Sequence, residues 1–172
     1  MSLLSRLLRP PEARLRPLYM AAVAAARAPA WYLAGVPDTR EGRFDMLAAI
    51  VSLILLRLET EGGSAARHDS AELTELFVAD MDGSLRQMGI GDLVVGKHVG
   101  KMMAVLAILL DAFRESAGDA DAWRQAVRRN IFRDAPPSEA QLAEVARRLA
   151  GWREGLGRVA APDLLAGGVP TP

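Results

Sequence analysis

The chain has 172 residues, a formal net charge of zero and no cysteine, and 51% of its residues are hydrophobic. This length is typical of one compact domain, and the apolar share is enough to build a core without disulfides. The balanced charge weighs against a general nucleic-acid-binding protein, which needs surplus basic side chains. The missing cysteines exclude zinc ribbons, iron–sulfur clusters and thiol nucleophiles.

The N-terminal segment, residues 1–16, is rich in arginine and leucine and carries no signal-peptide pattern. Arg6 and Arg9 interrupt its apolar runs, whereas a signal peptide needs about 7 to 15 apolar residues in succession. We therefore expect the mature chain to begin here. The leucines between Leu3 and Leu8, beside these arginines, predict a short helix that rests on an anionic membrane surface, with a frayed or core-docked end as the alternative.

Helix start patterns recur through residues 17–158, which we predict to form a single helical domain. Three pairs have the spacing of helix N-caps: Asp38 with Glu41, Asp69 with Glu72, and Ser138 with Gln141. The predicted helices span residues 17–28, 39–61, 70–88, 92–116, 119–132 and 139–155. Residues 159–172 contain prolines and glycines without periodicity, and we predict a flexible C-terminal tail there.

Two of the predicted helices are apolar on nearly every face over part of their length. They contain the runs Met46 to Leu56 and Met102 to Leu110. Both runs fall short of the about 20 apolar residues that cross a membrane, so they indicate buried core helices. We predict an all-α bundle of about six helices, in which helices 39–61 and 92–116 are central and the amphipathic ones surround them.

The motifs that suggest catalysis or ligand binding all lack an essential part. Gly91–His98 fits the G-x-x-x-x-G-K phosphate-loop pattern, but His replaces the required Ser or Thr and a helix precedes it instead of a strand. Asp80–Gly83 resembles the start of a calcium loop without its later ligands. His68 and His98 form no metal pair or triad, and His98 is only a weak candidate haem ligand. We therefore predict no enzymatic activity, no cofactor and no metal.

The segment from Asp80 to Lys101 is the most informative polar region of the chain. We predict its partner-binding residues to be Asp80, Asp82, Arg86, Asp92, Lys97 and Lys101. Asp82 and Arg86 are four residues apart on one helix face, where they can pair, and Lys97 and Lys101 have the same spacing on the next helix. The region is either a polar docking surface or a solvated face paired by salt bridges.

A row of small residues, Gly96, Gly100 and Ala104, runs along the helix that carries the two lysines. Small side chains at this spacing let another backbone approach closely. As the alternative to a docking surface, the row predicts a close helix crossing inside the bundle.

Three ordered segments of this sequence resemble one known family. They are FVADMDGSLRQMGIGDLVVGK at residues 77–97, the pair ARAPAWY and GVPDTREGRFD at residues 26–32 and 35–45, and RNIF at residues 129–132. Together they resemble the signature of the ubiquinol–cytochrome c reductase chaperones, the assembly factors of the cytochrome bc1 complex. The resemblance covers about residues 17–150.

The resemblance implies an all-α, non-enzymatic chaperone that binds newly made cytochrome b. It implies a protein of the cytoplasm or of the cytoplasmic face of the inner membrane. The mitochondrial relatives work with a small helical partner subunit and at the ribosome. Because no long targeting extension of the mitochondrial kind precedes the matching segments, we expect a bacterial-type member. Ile50 stands where the family often has histidine, which speaks against a catalytic or ligating role for that position.

Two other classes of protein stay open at this point. One is a small-molecule or haem-handling protein with a pocket between the two central helices. The other is an enzyme, which would need Asp82, Arg86, Asp92 and Lys97 to converge in a concave pocket.

Overall fold

The computed structural model describes residues 14–87, 92–133 and 135–172, apart from the side chains of Leu85 and residues 92–95. The predicted helix from Leu3 to Leu8 lies outside the described residues. Across the described ranges the secondary structure is helical and contains no strand, which confirms the all-α fold.

Six longer helices and two single-turn helices make up the described fold. In chain order they are α1 (Arg16–Ala26), α2 (Pro29–Leu33), α3 (Arg40–Glu59), α4 (Gly63–Gln87), α5 (Asp92–Glu115), α6 (Ala120–Ile131), α7 (Glu139–Arg158) and α8 (Ala161–Leu165). The six longer ones correspond to the six predicted helices.

Helix α3 is the centre of the bundle. Every residue from Met46 to Leu55 is at most 6% exposed, and α1, α4, α5, α6 and α7 all pack against this helix. The hydroxyl of Ser52 donates to the carbonyl oxygen of Ala48 at 2.7 Å, so this polar group is satisfied inside the core. The prediction that helix 39–61 is enclosed is thus confirmed.

Helix α5 is not enclosed, and the prediction that it is a second central helix is wrong. Its inner face buries Leu106, Leu109 and Phe113 almost completely, whereas Ala104 is exposed and the side chain of Ile108 is 57% exposed. Alanine can face water at little cost. A continuous apolar run therefore does not show that every face of the helix is covered.

The helix starts follow the predicted capping chemistry in part. Ser138 and Gln141 form the predicted capping box at the start of α7. At the start of α3 the cap is Thr39, whose hydroxyl accepts from the backbone N–H of Gly42 at 3.0 Å, while Asp38 instead pairs with Arg43.

Helix α4 begins at Gly63, seven residues before the predicted start. Asp69 and Glu72, which were predicted to cap it, lie inside the helix and are buried at 6% and 5% exposure. Arg14 pairs with both carboxylates, donating to Glu72 Oε2 at 2.6 Å. These two ion pairs hold the residues before α1 against α4.

Residues 159–172 pack against the bundle, in contrast to the flexible tail that the sequence predicted. Leu164 of α8 is fully buried, and the indole N–H of Trp152 donates to the carbonyl oxygen of Pro170 at 2.8 Å. Gly167 has a φ of 97°, and a side chain at this position would meet the carbonyl oxygen of Pro17. The glycines and prolines thus shape a tight return of the chain.

Both tyrosines are expected to resist ionisation while the protein is folded. Tyr19 donates to Asp80 Oδ2 at 2.6 Å, and Tyr32 donates to the carbonyl oxygen of Ala26 at 2.9 Å. Burial raises the pKa of both hydroxyls, and Asp80 raises that of Tyr19 further.

The folded state binds these two hydroxyl protons more tightly than the unfolded state does. The protonated tyrosines therefore add to the free energy of unfolding below about pH 10, and this contribution is lost as the pH rises above that value. An alkaline titration followed by tyrosinate absorbance should show tyrosinate forming at a higher pH in the folded protein than in the urea-unfolded chain. Tyrosinate formation near pH ~10 with an unchanged helical dichroism signal would contradict this expectation.

The Asp45–Arg133 pair is expected to matter more for stability than the Asp38–Arg43 pair on the surface. Asp45 is 2% exposed, and Arg133 pairs with both of its carboxylate oxygens. The substitution Arg133→Met removes the guanidinium that compensates the buried negative charge of Asp45. We expect a loss of roughly 1–3 kcal/mol, since Arg133 itself is partly exposed.

Urea unfolding of Arg133→Met checks this, with Arg43→Met as the control in which both partners of the lost pair are exposed. Equal, small effects of both substitutions would show that Asp45 does not depend on Arg133.

Candidate docking surface

The predicted docking residues lie on the last turns of α4 and on the first half of α5, two helices that pack against each other. Asp80 faces inward from α4. It is half-buried and accepts the hydrogen bond from Tyr19 of α1. This contact joins α1 to α4 and fixes the position of the α4 end on which Asp82 and Arg86 lie.

Asp82 and Arg86 lie on the outer side of the same helix and form the predicted pair. Arg86 Nε donates to Asp82 Oδ2 at 2.7 Å, and the two side chains are 51% and 35% exposed for Arg86 and Asp82. Asp80 and Asp82 thus serve different contacts, one toward the core and one at the surface. An exposed pair of this kind adds about 0 to 1 kcal/mol to stability, so its presence does not explain the fold.

Asp92, Lys97 and Lys101 belong to α5. Asp92 is the first residue of the helix, as predicted, and its side chain is not among those described. Lys97 and Lys101 are exposed, and neither takes part in an ion pair with another residue in the described ranges. Their ammonium groups are therefore available to a binding partner.

The small residues of α5 face outward, so the predicted close crossing inside the bundle is wrong. Gly96, Gly100 and Ala104 are exposed, and a Cβ built on either glycine meets no atom within 4 Å. Gly83 of α4 has the same open space around it. Leu106, Leu109 and Phe113 occupy the core-facing side of α5. The glycines and Ala104 lie on the outer face beside the two lysines, where another helix can approach closely.

The geometry gives no support to the enzymatic and ligand motifs. Gly96–His98 lie inside α5 and the segment ending at Gln87 is the helix α4, so the G-x-x-x-x-G-K pattern lacks its strand. No group of three or more potential metal ligands occurs in the described part of the chain. Among the described helices, none has a stretch long and apolar enough to cross a bilayer.

Two grooves flank α6, where sequence reasoning proposed none. One, of about 630 Å³, lies between α6 and α7, and the other, of about 490 Å³, lies between α5 and α6. In the larger groove the guanidinium of Arg153 lies 5.6 Å from the centre of the Trp123 indole. Three alanines on one face of α7 line this groove: Ala143, Ala146 and Ala150. Their spacing of three and four residues is the sequence pattern from which the groove could have been predicted.

These grooves bear on the two alternatives left open by the sequence. Neither lies between the two helices that were predicted to be central, where a small-molecule pocket was expected. The four residues of the hypothetical enzyme site, Asp82, Arg86, Asp92 and Lys97, line neither of them. What the described residues of α4 and α5 form is an open, charged surface with small residues along it.

Comparison with known proteins agrees with this architecture. A family model described as ubiquinol–cytochrome C chaperone matches residues 33–171. The crystal structure of the Cbp3 homolog from Brucella abortus is similar, with a TM-score of 0.81 and 30% sequence identity over 98% of this chain and 94% of that one. Comparison with curated protein sequences gave no match. On the family match and this structural likeness, the chain belongs to the ubiquinol–cytochrome c chaperone family.

Proposed function

We propose that this protein is a non-enzymatic assembly chaperone that binds newly made cytochrome b and supports assembly of the cytochrome bc1 complex. The proposal combines the family with one observation on the molecule, the open small-residue face of α5 beside the charged end of α4. This face is where we place the client.

The small residues suit a client that is a membrane protein. Transmembrane helices associate mainly through close packing at glycine and alanine, because lipid removes most of the hydrophobic drive between helices. Gly83, Gly96 and Gly100 leave open space on the surface of the chaperone. A client helix that has not yet found its final neighbours could pack there without displacing any side chain.

The charged residues around this face give the contact its register. Lys97 and Lys101 would meet acidic or carbonyl groups of the client, and the Asp82–Arg86 pair would set the orientation at the α4 side. Asp92, at the start of α5, is the remaining candidate contact. Asp80 acts as a positioning residue, because its carboxylate is engaged by Tyr19.

The place of action follows from the client. A chaperone for an integral membrane subunit works at the membrane surface, so we propose a cytoplasmic protein that is peripheral on the inner membrane. A small helical partner subunit and a contact with the ribosome, as in mitochondrial relatives, belong to the same proposal.

Charge reversal should separate folding from client binding. Lys97→Glu and Asp82→Arg change exposed side chains and should barely change the free energy of unfolding. In an interface, each would bring like charges together at a cost of several kcal/mol, enough to reduce client capture by orders of magnitude. The b-type haem absorbance of membranes from a complemented deletion strain measures the outcome. Arg158→Glu, at a 78% exposed side chain on α7, is the matched control.

If both variants fold normally and restore full b-type haem absorbance, the α4–α5 surface is only a solvated face. If they fail because they no longer fold, the residues are structural. Either result overturns the proposed docking site, and the affinity capture of cytochrome b from membranes then shows whether the chaperone function itself stands.

A large side chain at position 100 tests directly whether a client helix packs closely against α5. Leucine has a higher helix propensity than glycine, and a Cβ added at Gly100 meets no atom within 4 Å, so Gly100→Leu should raise the stability by about 0.5–1 kcal/mol. The same side chain would hold a client helix away from α5 and lower cytochrome b capture. Gly151→Leu is the matched control, since Gly151 is also exposed, helical and open. Equal capture by both variants would rule out close packing at Gly100.

A further inference from the structure

The exposed face of α5 carries a regular stripe of six residues. They are Lys97, Lys101, Ala104, Ile108, Asp111 and Glu115. Their spacing alternates between four and three residues, which is the spacing of the seam in a coiled coil. All six are exposed, and the stripe runs for about 27 Å along the helix.

The chemistry of this stripe is ordered along α5. Two basic side chains lie at its N-terminal end, an alanine and an isoleucine in the middle, and two acidic side chains at its C-terminal end. The positions are symmetric about Leu106, and the charges at symmetric positions have opposite signs. Reversing the direction of the helix therefore places each basic residue where an acidic residue was, and Ala104 where Ile108 was.

From this symmetry we infer that a second copy of this chain packs antiparallel on α5. Lys97 would then lie opposite the partner's Glu115, Lys101 opposite the partner's Asp111, and Ala104 opposite the partner's Ile108. A two-fold axis repeats each contact, as in isologous dimers. A parallel arrangement would place the lysines against each other and the carboxylates against each other, and it is therefore disfavoured.

The residues beside the stripe are compatible with such a contact. Gly100 and Ala107 are exposed and small, so the two helices can approach closely. Arg114 pairs with Asp111 at 2.8 Å and with Glu59 of α3 at 2.9 Å. Arg114 thus shares its one positive charge between two carboxylates, and Glu115 adds a further negative charge at the end of the stripe that would lie opposite the partner's lysines.

The contact is small. One pair of helices over this length offers few anchors, and Ile108 is the single large apolar side chain in the stripe, so we expect a reversible dimer in rapid exchange. The inference does not depend on the proposed function. Because the dimer would cover Lys97 and Lys101, however, a second copy and the client would compete for the same face of α5.

Analytical ultracentrifugation of designed charge variants tests the pairing. Lys97→Glu with Lys101→Glu makes the stripe entirely acidic, and Asp111→Lys with Glu115→Lys makes it entirely basic. Over a roughly hundredfold range of concentration the unmodified protein should self-associate reversibly. Each double variant alone should show dimer affinity at least about tenfold lower, and an equimolar mixture of the two should associate again. Helical dichroism verifies that each variant is folded.

An unmodified protein that stays monomeric over this range overturns the inference, and the stripe is then a client or solvent face. Double variants that associate like the unmodified protein place any dimer on another surface. A mixture that does not associate excludes the antiparallel register.

Because the chain has no cysteine, single-cysteine variants add a geometric test. Lys101→Cys mixed with Asp111→Cys should form a disulfide between the two chains. Lys101→Cys alone should form it much more slowly, since its own copies would lie about ten residues, or about 15 Å, apart along the paired helices. Equal rates of cross-linking contradict the register.

Discussion

The enclosure of α3 is the constraint on which the rest of the structure depends. Residues 46–55 are buried on every side, and five longer helices pack around α3 to cover them. On α5, the buried side chains Leu106, Leu109 and Phe113 lie on the face toward the core. The small and charged residues of α5 are left on its outer face, and that face is where we place both partners. The surface proposed for binding is thus a consequence of how the core is covered.

Polar contacts then fix the outer helices in place. Arg14 holds α4 through Asp69 and Glu72, and Tyr19 holds the other end of the same helix through Asp80. Arg57 of α3 donates to the carbonyl oxygens of Leu156 and Val159, the latter at 2.9 Å, which satisfies acceptors at the end of α7. The carboxylates of Asp69, Glu72 and Asp80 in these contacts are buried or half-buried, whereas the candidate docking residues Lys97 and Lys101 are exposed. The division suggests that folding and binding can be altered separately.

Local chemistry made some features of this protein predictable from its sequence. The capping box at Ser138 and the enclosed run from Met46 to Leu55 depend on nearby residues only, and both predictions are confirmed. The pairing of Asp82 with Arg86 is a local contact of the same kind.

The predictions that failed needed knowledge of distant neighbours. Asp69 had the spacing of a helix cap, but its partner is Arg14, which lies 55 residues earlier in the chain. The outward direction of Gly96 and Gly100 depends on which face of α5 meets α3, and the hydropathy of α5 does not define that face. The groove beside Trp123 requires α6 and α7 to be packed together before it exists.

The family, the fold and the open face of α5 together support a chaperone that receives a membrane-protein helix. The central claim is that newly made cytochrome b lies directly on this face. Photo-crosslinking in membranes of the source cell tests it most directly, with a photoreactive residue placed at Lys97 in one variant and at Arg158 of α7 in another. We predict that cytochrome b is cross-linked from position 97 and not from position 158. Cross-linking from position 158 alone, or from neither position while cytochrome b still accumulates, would contradict the account.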